Sequence, residues 1–115
     1  MSEADGTPRL AVYGSLAPGK ENHGQVADLR GQWLEGTVRG RLIEQGWGAS
    51  MGFPALVLDG EGEVVPVMVL ESDDLAGAWE RLDEFEGAEY DRVLTEVRTA
   101  KAMVSAYIYA AKDAA

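Results

Sequence analysis

The chain has 115 residues, 46 % hydrophobic and 26 % charged, with 20 acidic side chains against 10 basic ones, one histidine and no cysteine. That length suits one domain with a modest core, residues 1–115 behind a flexible polar lead over 1–8, while a formal charge of −10 repels the phosphates of nucleic acid and anionic lipid alike. Disulfides, thiolate ligands and a multi-histidine zinc site are excluded, and with no apolar run near ~20 residues and no signal-peptide pattern at the start the expectation is a cytoplasmic protein without membrane, nucleic-acid or metal partners.

Arg9 to Tyr13 reads as a short strand stopping at Gly14-Ser15, with a further turn at Pro18-Gly19. A helical pattern around Gln25 to Leu29 follows. Trp33 to Ile43 is long enough for a strand in which Gly36 and Gly40 permit bends or bulges. Gly46 to Pro54 has the glycine content of a loop, and its functional reading is a lid over a site. Ala55 to Leu58 then forms a short strand, and Asp59-Gly60 signals a hairpin into the next one. Val64 to Leu70 is nearly continuous in apolar residues, although Pro66 demands an edge or a bulge. Leu75, Ala78, Trp79 and Leu82 share one face of an amphipathic helix, capped by Ser72 and closed by Gly87 in a left-handed conformation. Arg92 to Thr99 and Val104 to Ala110 complete the strands. About six strands and one or two helices predict an α+β fold, and the bent strands favour a small barrel-like sheet with helices outside it.

Two stretches carry chemistry. At Tyr13-Gly14-Ser15-Leu16 a strand delivers the chain into a sharp turn whose successive N–H groups can converge on a carboxylate or oxyanion; the alternative is an ordinary Gly-Ser turn. At the C-terminal end of the main helix, Asp83, Glu84, Glu86, Glu89 and Asp91 crowd the negative end of the helix dipole, so at least one carboxyl is expected to have a raised pKa. Glu86 lies on the buried face defined by Leu75 and Leu82, whereas Glu84 falls away from it; the alternative is a solvated acidic helix end. His23 reads as a loop side chain, and Trp33, Trp47, Phe53 and Trp79 as core or pocket wall. Tyr107 and Tyr109 share one face of the last strand, where both can point into a barrel interior. There Tyr109 meets substrate or Glu86, or makes a structural hydrogen bond.

Four blocks resemble the gamma-glutamylcyclotransferase-like family, especially its short AIG2-like branch. They are Val12-Tyr13-Gly14-Ser15-Leu16 with Pro18-Gly19 and Asn22-His23, Gly36-Thr37-Val38-Arg39-Gly40-Arg41-Leu42, Phe53-Pro54-Ala55-Leu56, and Leu82-Asp83-Glu84-Phe85-Glu86-Gly87 with Tyr90 and Arg92. Two departures stand out: Ala17 where many relatives carry a basic residue, and Pro66 where glycine is expected. The resemblance implies a small mixed β-barrel flanked by helices. It also implies that Tyr13, Gly14, Ser15 and Leu16 hold the glutamyl end of a small γ-glutamyl substrate through backbone groups. Glu86 would then be the catalytic base and acid of a ring closure yielding 5-oxoproline and a released amine or amino acid, with no cofactor, in a monomer or homodimer. The rival readings are a non-catalytic binding or interaction domain of the same fold, and an amidase that cleaves the same bond with water and gives glutamate.

Overall fold

The computed structural model describes residues 8–13, 24, 26–43, 55–87 and 90–111. They contain β1 (Arg9–Val12), β2 (Gln32–Ile43), β3 (Ala55–Leu58), β4 (Glu63–Glu71), a 3-10 helix (Asp73–Gly77), α1 (Trp79–Glu86), β5 (Tyr90–Thr99) and β6 (Met103–Ala111). Every predicted strand is present with its ends displaced by a couple of residues at most. The helical pattern near Gln25 corresponds, among the described residues, to a turn in which the Leu29 N–H donates to the Val26 carbonyl at 3.0 Å.

The strands are hydrogen-bonded in the order β3-β2-β4-β1-β6-β5, and β5 returns to pair with β2, closing a five-stranded mixed barrel with β3 as an extra strand on β2. Among the described strands only the β1–β6 pair is parallel. Closure depends on Gly36, which pairs with Thr99. A Cβ there would lie 2.6 Å from Val97 Cγ1 and 2.9 Å from the Arg98 carbonyl oxygen, so β5 can approach only because residue 36 has none.

The Asp59-Gly60 hairpin is not what forms. β3 and β4 each pair with β2 and not with each other, so the intervening turn carries the chain from one edge of β2 to the other. The Asp59 N–H donates to the Arg39 carbonyl at 3.2 Å, and the Arg39 guanidinium donates to the Gly62 carbonyl at 3.1 Å, fastening the turn to β2 instead. Pro66 sits opposite Thr37 of β2, beyond Met68 where the pairing of β4 with β1 ends, so its missing N–H falls on a locally open edge, as its chemistry requires.

Alternation along the strands sorts the apolar residues into two cores. Ala11, Val38, Leu56, Val65, Val67, Val69, Val97, Ala106 and Ile108 fill the barrel. Outside it, Leu10, Val12, Leu70 and Tyr109 meet Leu75, Ala78 and Leu82 of the helical segment and the buried Val26. The predicted single helix is divided: Ser72 Oγ accepts the Asp74 N–H at 3.1 Å to start the 3-10 turn, and α1 begins after Gly77 and Ala78. Gly77 has low helix propensity, yet both pieces keep their apolar side inward. No helix among the described residues is long and apolar enough to cross a membrane.

Candidate functional site

Glu86 is the last residue of α1, one turn beyond the fully buried Leu82, and its side chain follows that residue toward the outer core. Gly87 ends the helix at φ 89°, ψ −178°, a conformation essentially closed to residues with a Cβ, and its N–H donates to the Asp83 carbonyl at 3.1 Å. The positive φ was expected; the extended ψ turns the chain directly toward β5. Burial pushes the Glu86 carboxyl from its ordinary 4.5 up to about 7. The cause differs from the one read in the sequence, since loss of water and not crowding by neighbouring carboxylates raises it.

Asp83, one turn earlier, shifts the opposite way. Arg92 of β5 donates to it through Nε at 2.9 Å and Nη2 at 3.3 Å, and the Tyr109 hydroxyl of β6 donates to Oδ1 at 2.6 Å, holding this carboxyl below the usual range. The Arg92 guanidinium lies 4.5 Å from the Trp79 ring centroid and 5.1 Å from that of Tyr107, and those two rings pack edge to face at 5.3 Å.

Tyr13, the first residue after β1, faces the barrel core, and its hydroxyl donates to the Tyr109 carbonyl oxygen at 2.7 Å while accepting the Leu56 N–H at 2.9 Å. Burial pushes the pKa of both phenols well above the ordinary value, so both stay protonated. Asp83 adds to the effect at Tyr109, and the charge of Glu86 adds to it at Tyr13 and Tyr109, so the three side chains share one electrostatic neighbourhood.

Of the residues singled out in the sequence, Tyr13, Glu86 and Tyr109 therefore converge. Gly14, Ser15, Leu16, His23, Trp47 and the Gly46–Pro54 segment lie outside the described residues. Tyr107 and Tyr109 do share a face, but it is the outer one beneath α1; Val104, Ala106 and Ile108 point inward instead. Sequence reasoning overlooked the Asp83–Arg92 pair. Its signal was the position of Asp83 one helical turn before Glu86, together with a cation just past the helix.

Two concavities border this region. A cavity of about 480 Å³ at the end of α1 is lined by Asp83, Glu84, Gly87, Tyr90, Arg92 and Tyr109. A groove of about 600 Å³ runs from Tyr13 over Val12, Pro66 and Met68 to Glu35 and Arg98.

Comparison with known proteins places this geometry in a family. Among curated proteins none matches the chain. An AIG2-like protein from Mus musculus superposes with a TM-score of 0.74 at 24 % identity, over 96 % of this chain and 81 % of its own. YkqA from Bacillus subtilis gives 0.72 at 26 % identity over 93 % and 36 %, and the uncharacterized protein PH0828 from Pyrococcus horikoshii gives 0.64 at 26 % over 93 % and 80 %. Residues 10–115 match the family model described as gamma-glutamyl cyclotransferase, AIG2-like, and the chain belongs to that family.

Proposed function

We propose that the chain is an active gamma-glutamyl cyclotransferase with Glu86 as its general base and acid. The observation that carries this reading is the half-buried Glu86 carboxyl at the end of α1, which burial pushes up to about 7 and which shares its electrostatic neighbourhood with Tyr13, the residue just before Gly14-Ser15-Leu16 in the sequence. A group half-ionised near neutrality can both take and return a proton.

The proton balance fits one carboxyl. The α-ammonium of the γ-glutamyl group carries three protons and the ring nitrogen of 5-oxoproline keeps one, while the amide nitrogen of the leaving group gains two on departing as an ammonium. Glu86 takes a proton from the α-nitrogen, which attacks the γ-carbonyl carbon; the tetrahedral oxyanion is held by backbone N–H groups of residues 14–16; Glu86 then protonates the leaving nitrogen as the C–N bond breaks. A second exchange through the same carboxyl completes the transfer. Because nucleophile and electrophile belong to one molecule, much of the rate comes from folding the glutamyl chain into its reactive conformer. The groove from Tyr13 to Arg98 gives the leaving group an apolar floor, and its rim charges Glu35 and Arg98 form no ion pair among the described residues.

Incubation with a panel of γ-glutamyl amines and dipeptides, followed by mass spectrometry, tests the reading. Formation of 5-oxoproline that is lost in Glu86→Gln supports it. Glutamate as the product would indicate hydrolysis, and a folded protein giving neither would indicate a binding domain.

A further inference from the structure

α1 is only eight residues long, and a two-turn helix is marginal in isolation, so its final residue does not keep a fixed place without outside support. The support comes from one turn back. Asp83 receives the forked donation of Arg92 and the hydroxyl of Tyr109, while its own carbonyl accepts the Gly87 N–H and closes the turn that contains Glu86. Arg92 extends the hold to the first turn of α1 by lying over Trp79, and to β6 by lying over Tyr107.

Tyr109 joins this assembly to the opposite wall of the site. Its hydroxyl fixes Asp83 of α1, and its carbonyl oxygen takes the hydroxyl of Tyr13, the first residue after β1. Through this one residue of β6, the helix end bearing the carboxyl and the end of β1 are held in register. The hydrogen bonds run from Arg92 to Asp83, from Tyr109 to Asp83, and from Tyr13 to the Tyr109 backbone, with the Leu56 N–H donating at the far end.

We propose that Arg92, Asp83 and Tyr109 form a positioning clamp that holds Glu86 against the Tyr13 wall and keeps water from its carboxyl. None of the three needs to touch the reacting atoms. The proposal rests on Glu86 acting as the proposed base, yet it makes a separate claim about where that carboxyl sits. Among the described residues, the titratable groups of its neighbourhood are Tyr13 just after β1, Tyr109 from β6 and Tyr90 at the start of β5, with Asp83 on its own helix and Arg92 on β5 behind Asp83. Loosening the clamp admits water to Glu86, and its protonation then moves down toward that of an ordinary glutamate.

The test follows the Glu86 carboxyl directly by ¹³C NMR titration of glutamate-labelled protein, with Glu86→Gln to assign the resonance and thermal melts to verify the fold. Tyr109→Phe removes the hydroxyl alone; Arg92→Lys keeps the charge and removes the fork and the flat contact with Trp79. Both are expected to lower the Glu86 midpoint by about one pH unit or more, and the acid limb of kcat/KM with it, with kcat falling about tenfold or more and KM staying within about twofold. Arg81→Ala is the control: Arg81 lies on the same helix and pairs with Asp28 at 3.8 Å on the exposed side, so its loss should leave the midpoint in place. A Glu86 midpoint unchanged in folded Tyr109→Phe and Arg92→Lys overturns the clamp. If the midpoint moves as expected while the parent forms no 5-oxoproline from any substrate, the clamp stands and the enzymatic reading fails.

Discussion

The inside of the barrel and the layer beneath α1 are built from the same strands, yet they differ in kind. Among the described residues the interior core is wholly aliphatic, with Tyr13 as the one partly buried aromatic packed against it. The outer layer includes Tyr109, the capping Ser72 and the half-buried Glu86, with Asp83 and Arg92 at its margin. Alternation along each strand thus gives one set of side chains to an aliphatic core and the next to a layer where apolar packing and ionisable groups meet. The barrel is a solid support that carries the Glu86 carboxyl of the proposed site on its outer wall, and substitutions on the two sides should fail differently.

Glu86→Gln should give the largest effect. It removes the proton carrier without changing shape, and 5-oxoproline formation is expected to fall by about 10²–10⁴-fold with the fold intact, read from single-turnover rates and circular dichroism. Inside the barrel, Ile108→Ala should leave a cavity costing about 2–5 kcal/mol, seen in urea unfolding, while the pH dependence of the remaining activity stays where it was.

Between these lies an effect in which chemistry is read as stability. The Glu86 pKa is raised in the folded protein, so its contribution is fully present below the unfolded value of 4.5 and is lost as pH rises through about 7. At ~1.4 kcal/mol per pH unit, the interval from 4.5 to about 7 corresponds to about 3 kcal/mol. Glu86→Gln should therefore lose less stability than the parent over that interval and be the more stable protein at pH 8, measured by denaturant titration across pH. A smaller effect is expected for Tyr13→Phe, which strands the Leu56 N–H and deprives the Tyr109 carbonyl of a donor, costing about 1–3 kcal/mol in the same assay.

Much of this was legible in the sequence because local signals agreed with the global fold. The strands followed their apolar runs, Ser72 its capping role, and Glu86 the helical face set by Leu75 and Leu82. Gly87 was legible as a stop because so few conformations continue from a helix end into an adjacent strand. What escaped was non-local. Asp59-Gly60 carried a hairpin signal, but strand pairing is decided by which edge of β2 is open, and turn composition does not contain that information. Likewise, whether Tyr107 and Tyr109 face into or out of the barrel is invisible to period-two alternation, which fixes that they share a face and leaves open which face. A raised carboxyl was expected somewhere in the acidic stretch without being assigned to Glu86, and its cause was not foreseen, because an apolar enclosure is contributed by residues scattered along the chain whereas neighbouring charges lie in plain view.

The parallel pairing of β1 with β6 has a consequence for how the protein comes into being. Tyr13 and Tyr109 stand 96 positions apart, and their hydrogen bond joins the first described strand to the last. On a ribosome, β1 emerges early and waits with one edge unpaired until β6 has been made, so the ring cannot close on any shorter nascent chain. The site is sewn shut by the same stitch. Partly synthesised chains therefore have neither the closed barrel nor the Tyr13–Tyr109 link, and the proposed activity would arise only once β6 takes its place.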